Sequence, residues 1–289
     1  MSRIDERLPE HAEPRSFHGP SPFVTRIEYD LDGTTYTWRS RWARKHPPGS
    51  IGGSTWWAPR ALGWWIGVLF AIGSAAFALG AVPGYVDGVG GVADAVTFFV
   101  GSVFFTSAAA LQYWETVRFE GPAPATRRLA WRRLVTPGPR RIDWWACAVQ
   151  LVGTLFFNRS TAQAIATSLS PEAARHLVWR PDALGSICFL IASALAWFEV
   201  CHGYLAFEPK DLSWWITLGN LAGSIAFGVS AVASFVVSDG QLLDAELSNL
   251  GTFVGALCFL AASIALLPER TLAPPEVAAP TEVSDPGPR

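Results

Sequence analysis

Six stretches of the chain read as nearly continuous apolar runs, separated by polar, Pro-rich or Gly-rich segments. They cover about 61–81, 92–114, 142–162, 183–203, 212–237 and 248–268. An α-helix rises ~1.5 Å per residue, so roughly 20 residues cross a ~30 Å hydrocarbon core. The pattern predicts six membrane helices. The first 20 residues are polar and rich in Pro and His, which predicts a disordered tail. Between them and the first run, "FVTRIEYDLDGTTYTWRSRW" alternates about Asp32-Gly33. Thr25, Ile27, Tyr29, Tyr36 and Trp38 on one face predict a short cytoplasmic β-hairpin.

The runs repeat one another. "GWWIGVLFAIGSAAF", "DWWACAVQLVGTLFF" and "SWWITLGNLAGSIAF" begin the first, third and fifth. "GSVFFTSAAALQYWE", "GSICFLIASALAWFE" and "GALCFLAASIALLPE" lie in the second, fourth and sixth. Residues 144–199 laid on 214–269 at a constant offset of 70 match at 15 of 56 positions. The chain therefore reads as an all-α membrane protein of three tandem, parallel-topology helical hairpins. The segments are a tail at 1–20, the β-hairpin and a basic juxtamembrane stretch at 21–60, and repeat 1 at 61–115. A basic linker follows at 116–141, then repeat 2 at 142–203, repeat 3 at 212–269, and a Pro-rich disordered tail at 270–289.

The repeated positions have physical roles. Trp64, Trp65, Trp144, Trp145, Trp214 and Trp215 open the odd helices, where indole suits a membrane–water interface with its N–H reaching water or headgroups. Gly73, Gly101, Gly153, Gly185, Gly223 and Gly255 recur about two turns deeper, and Gly219 makes a GxxxG pair with Gly223. Small residues there allow close helix–helix approach. A Phe follows each repeated Gly by four residues and fills the space beside it.

Charge refines the picture. Only 16% of residues are charged and the formal net charge is -2, but the basic residues are unevenly placed. With the N-terminus in the cytoplasm, the inner segments hold 9, 7, 1 and 2 Lys/Arg, against Arg159, Arg175 and Arg180 outside. This positive-inside bias predicts a plasma-membrane protein with both termini cytoplasmic. "RSRWARKHPP" interleaves cations with Trp, which suits an anionic inner leaflet better than nucleic acid. "TRRLAWRRLV" at 126–135 reads as a short interfacial helix. Cys147, Cys188, Cys201 and Cys258 all lie within or beside apolar runs, which disfavours a disulfide framework.

Candidate chemistry is sparse. No phosphate-binding glycine loop, HExxH, GxSxG or CxxC occurs, so no catalytic, cofactor or metal residue is assigned and no enzyme activity is expected. Glu199, Cys201 and His202 could contribute to a metal site only with further ligands such as Cys147. Glu115, Glu199 and Glu269 recur at the C-terminal ends of the even helices. A carboxylate there opposes the helix dipole by ~0.3–1 kcal/mol, so each calls for a compensating cation. Arg118, Arg270 and the linker arginines are the candidates, and an acidic cytoplasmic vestibule is the competing reading.

The two-helix unit, "WWxxxxxxxGxxxF" leading to "GSxxF", resembles the YrhK-like domain, a small bacterial membrane domain of two apolar helices each bearing a Gly-Ser pair. The matching residues are Gly73-Ser74 with Gly101-Ser102, Gly153-Thr154 with Gly185-Ser186, and Gly223-Ser224 with Gly255-Ala256. The resemblance covers the helices only. It implies a bacterial membrane protein and supplies no catalytic residues. A structural or interaction module is the leading expectation, with the bilayer, a cytoplasmic protein or a second copy as partner. A passive channel or small-molecule transporter is the alternative.

Overall fold

The computed structural model describes residues 13–31, 34–46, 56–119, 140–166 and 169–269. The interfacial helix expected at 126–135 and the tail expected at 270–289 lie outside them. A small antiparallel sheet of order β1-β2-β3 comes first, with β1 Glu13–His18, β2 Arg26–Leu31 and β3 Thr34–Arg39. β2 and β3 pair from Leu31↔Thr34 to Arg26↔Arg39, the register expected for a hairpin turning at 32–33. The added strand is a correction. Residues 13–18, expected to be disordered, pair with β2 through a bulge between Pro14 and Ser16. A third strand is what an otherwise marginal hairpin needs.

A short helix, α1 (Ser40–Lys45), runs straight on from β3. Then come α2 (Leu62–Gly80), α3 (Tyr85–Val89), α4 (Gly91–Arg118), α5 (Ile142–Ala164), α6 (Pro171–Cys201), α7 (Leu212–Ala233) and α8 (Ala245–Glu269). Local chemistry sets several ends. Gly84 and Gly90, at φ +81° and +85°, turn the chain on either side of α3. Ser170 accepts from Ala173 N and Pro171 opens α6. Asp211 accepts from Ser213 N at the start of α7. α6 begins well before residue 183, where its apolar run starts. One π turn, Arg175–Trp179, precedes Pro181, whose ring supplies no N–H to the helical ladder.

Among the described residues, five helices are long and apolar enough to cross a membrane: α2, α4, α6, α7 and α8. α5 has comparable length but carries Asp143, Gln150, Asn158 and Arg159. Several of its polar groups turn to its neighbours. Asn158 Nδ2 donates to Thr106 Oγ1 of α4 at 2.8 Å, Thr161 and Ser102 hydroxyls lie 3.0 Å apart, and Ser160 donates to Val178 O.

The six long helices form a closed ring. Each packs on its neighbours in chain order, and α8 packs back on α2. Six phenylalanines fill the middle. Phe77, Phe157 and Phe227 make one triangle, with ring centroids 5.9–6.4 Å apart. Phe105, Phe189 and Phe259 make a second, at 5.7–6.2 Å. The triangles join through Phe77–Phe105, Phe157–Phe189 and Phe227–Phe259 at 5.1–5.4 Å. Edge-to-face pairs of this kind contribute about 0.5–1.5 kcal/mol each beyond burial.

Glycine makes this geometry possible. A Cβ on Gly73 would lie 3.0 Å from Gly101 O and 3.1 Å from Phe105. On Gly153 it would meet Cys188 and Phe189 at 2.8 and 2.9 Å, and on Gly223 Gly255 O at 3.0 Å. Each Phe thus packs over the Gly of the facing helix. Gly219 departs from the expectation: a Cβ there meets Ala262 at 3.4 Å, an ordinary contact. Gly67 and Gly251 are tighter and were not anticipated. The first faces Ser263 O at 3.1 Å and the second Ala226 O at 2.9 Å.

The outside of the ring is apolar. Ile72, Val103, Leu155, Ile187, Val232 and Leu250 are among the exposed residues, while serines and threonines such as Ser74, Ser102, Thr154 and Ser224 are fully buried. A soluble monomer rarely exposes apolar area on this scale.

Gly153→Leu should destabilise the bundle by ~1–3 kcal/mol through overpacking against Phe189. Gly88, beside which nothing lies within 4 Å, should accept Ala at a cost within ~0.5 kcal/mol. Thermal unfolding of the two variants in detergent checks the contrast.

Candidate functional site

Charged side chains gather at one end of the ring, where α4, α6 and α8 finish. Glu115, Glu199 and Glu269 all face inward here and meet the same short helix. The first is half-buried; Glu199 and Glu269 are 2% and 5% exposed. Each has its own cation, and all three cations come from α1.

Lys45 Nζ donates to Glu115 Oε2 at 2.6 Å. Arg44 grips Glu199 with two nitrogens, at 3.0 and 3.1 Å, and Ser40 Oγ donates to the same carboxylate at 2.7 Å. Arg41 Nε donates to Glu269 Oε1 at 2.8 Å, joined by Ser213 Oγ at 2.9 Å. Residues at i, i+3 and i+4 share one helix face. Arg41, Arg44 and Lys45 therefore project together, and one short helix reaches three carboxylates spaced around a ring.

Asp143 is a fourth acid that the sequence reading missed. It lies between Arg44, whose Nη1 is 2.9 Å away, and Arg141, whose Nε is 3.1 Å away. Arg141 also donates to Thr116 O and Phe119 O, capping the end of α4. Arg41, Arg44, Lys45 and Arg141 thus balance Glu115, Glu199, Glu269 and Asp143, four charges against four. The signal was present in the repeat. Gly63, Asp143 and Ser213 all precede a Trp-Trp pair, and each lies beside the carboxylate end of a neighbouring helix.

The pairing corrects two expectations. Glu115 is not matched by Arg118, which instead lies over the Trp114 ring at 4.7 Å; Arg270 lies outside the described residues. The cations of "RSRWARK", read as facing anionic lipid, face carboxylates instead. Burial alone lowers the pKa of Arg44, but the charges of Glu199 and Asp143 outweigh it and hold the guanidinium firmly protonated. Arg41 behaves alike beside Glu269.

The tryptophans divide into two kinds. Trp64 and Trp214 are buried, which departs from an interfacial role. Their Nε1 atoms donate to Trp56 O and Ala206 O, in each case eight residues back, and tie the preceding loop to the helix. Trp57 and Phe207 stack edge-on against them at 5.1 and 5.5 Å. Trp65, Trp145 and Trp215 are exposed; Trp65 and Trp215 donate to Pro59 O and Pro209 O. Trp144 is half-buried and stands edge-on to Trp145.

The sheet docks on the same end. Thr25 Oγ1 and His202 Nδ1 share a 3.0 Å hydrogen bond, and Val24 N donates to Arg140 O at 3.4 Å. Arg39 sits 3.9 Å from both Glu208 and Asp211. His202 takes a left-handed conformation, φ +50°, which ends α6. "EVCH" therefore does not converge on a metal. Glu199 serves Arg44, the Cys201 thiol points to Ala206 O at 3.9 Å, and His202 faces Thr25. Cys147 lies against Thr116 Oγ1, and all four cysteines are free. No group of three or more metal-ligating side chains occurs among the described residues.

No family model, curated protein or solved structure matches this chain. What the site does is therefore argued from its geometry alone.

Two predictions follow from the burial of these groups. Arg44→Ala leaves Glu199 and Asp143 facing each other without their shared cation and should cost about 3–5 kcal/mol. Lys45→Ala, at a somewhat less buried pair, should cost less, about 1–3 kcal/mol. Unfolding midpoints that rank the two variants in the opposite order would refute this. The second concerns acid. Burial, with Arg39, Arg26 and His18 nearby, lowers the His202 pKa to about 3, against 6.5 for an ordinary His. The unfolded chain then takes up the proton first, so stability falls as pH drops from 6.5 toward 3. His202→Gln should flatten that fall in unfolding midpoints taken from pH 7.5 to 5; identical pH profiles would remove His202 as its source.

Proposed function

We propose that this chain is a six-span bacterial plasma-membrane protein built from three tandem, parallel-topology hairpins, each akin to a YrhK-like unit, with both termini cytoplasmic. It acts as a closed, non-enzymatic structural or interaction module. The observation that carries the reading is the closure of the ring at two levels. Six phenylalanine rings occupy the axis, and the acidic end is neutralised by α1. An ion path along the axis would need α1 to withdraw and the aromatic layer to part.

The sixth span in this proposal is α5. Its apolar residues Val152 and Leu155 are exposed on the same outer surface as those of the other helices, while its polar groups are held between α4 and α6. Arg159, near its far end, has a side chain long enough to reach an interface. The basic bias of the N-terminal segment and the 116–141 linker supports the cytoplasmic assignment, and Arg127, Arg128, Arg132 and Arg133 of the linker support an anionic inner leaflet as lipid partner. The non-enzymatic reading rests on Glu199, Cys201 and His202 each being committed to a separate structural partner. A protein partner, or a second copy, would meet the module at its cytoplasmic face.

The competing proposal is a passive channel or small-molecule transporter with Glu115, Glu199 and Glu269 at its mouth. Potassium flux in liposomes decides between them. The closed module predicts flux at the level of protein-free liposomes. A leak that diminishes in Glu115→Gln/Glu199→Gln/Glu269→Gln would establish the channel.

A further inference from the structure

α1 is an unusual object to find filling the end of a helical ring. It has six residues, too few to be helical on its own in water. Its N-cap residue, Arg39, makes no side-chain capping bond. What holds it is the charged cluster: each of its three cations meets a carboxylate from a different helix. The ring supplies three like positions by repetition. The segment that fills them is single and asymmetric, and meets the threefold demand only through its i, i+3, i+4 spacing.

The carboxylates hold this segment, and their hydrogen-bonding capacity is not fully used by it. Glu269 is 5% exposed, and its Oε2 has no hydrogen-bond partner among the described residues. Ser40 and Ser213 hydroxyls add donors to Glu199 and Glu269, so two of the carboxylates are held in position from two sides. Phe105, Phe189 and Phe259 each lie ten residues before the Glu of the same helix, so the aromatic layer closes the axis deeper in the ring.

We propose that the acidic end of the ring is a receptor for a short cationic helical segment, occupied in cis by α1. A partner protein presenting three cations at i, i+3 and i+4 would compete for the same carboxylates. The tether then sets the threshold. A segment joined to its own site by a short linker competes at an effective concentration of roughly millimolar, so only a strong or locally concentrated partner displaces it. The inference rests on the closed-module reading, since a conducting ring would use the carboxylates differently.

The test uses the full chain with a protease site placed in the stretch 47–55, purified in detergent, and a fluorescein-labelled peptide with the sequence of residues 39–46. Fluorescence anisotropy is measured before and after cutting. Cutting should tighten peptide binding at least about tenfold, because the tether advantage is gone. A peptide with alanine in place of the residues matching Arg41, Arg44 and Lys45 should show no such gain. Full-length Arg41→Ala/Arg44→Ala/Lys45→Ala should bind the labelled peptide more tightly than wild type without any cut. Equal binding by the cut and intact proteins, or a gain that the alanine peptide shares, overturns the proposal. Liposome leak would instead overturn the closed-module reading, so the two failures are distinguishable.

Discussion

A carboxylate buried at the C-terminal end of a helix carries two penalties. It leaves water, and it sits at the negative end of the helix dipole. This arrangement occurs three times, at Glu115, Glu199 and Glu269, and Asp143 adds a fourth acid beside them. The end of the ring is stable only if matching cations arrive. α1 brings three and Arg141 the fourth. The placement of the N-terminal sheet follows, because α1 continues directly from β3 and cannot reach the carboxylates unless the sheet lies across this end. Thr25 with His202, and Arg39 near Glu208 and Asp211, are the secondary contacts that this position allows.

Away from that end, packing takes over. In lipid there is little hydrophobic drive between helices, so close contact and internal hydrogen bonds must hold them together. The ring uses both. Glycine brings backbones together, and a facing Phe covers each glycine. Buried hydroxyls bond across helices, as Ser193 and Ser224 do at 2.6 Å. The apolar surplus faces outward. Inward glycine, serine and phenylalanine with outward valine, leucine and isoleucine is the arrangement expected where hydrocarbon is the solvent. α5 shows how far it stretches: a helix of low hydropathy belongs to the ring, with Asn158, Ser160 and Thr161 bonded to groups of its neighbours.

The two systems meet at the Trp-Trp pairs. In two of the pairs the first Trp, Trp64 or Trp214, is turned inward by its bond to a carbonyl eight residues back, and the second is left outward. One dipeptide thus fixes the loop before a helix and marks its outer surface. The residue just before it lies beside a carboxylate: Gly63 leaves room at Glu115, Asp143 bridges two arginines, and Ser213 donates to Glu269.

Much of this was legible in the amino-acid order because it is local or periodic. Apolar run length gave the long helices, and identical spacing predicted that Gly, Phe and Glu would recur at like positions. The alternation about residues 32–33 predicted β2 and β3. What escaped was set by contacts far apart in the chain. Residues 13–18 read as disordered because a strand with little apolar patterning gains its order from a partner. Trp64 and Trp214 read as interfacial because burial depends on what covers a ring, and the covering residues lie in the preceding loop. The partners of the three glutamates read as Arg118, Arg270 or the linker arginines, whereas Arg44, which meets Glu199, lies 155 residues before it. By itself, then, the sequence determined the helices, their repeated faces and the need for cations at one end. Only the tertiary structure decided which cations answered, since periodicity specifies the face a residue occupies and not the distant segment that will meet it.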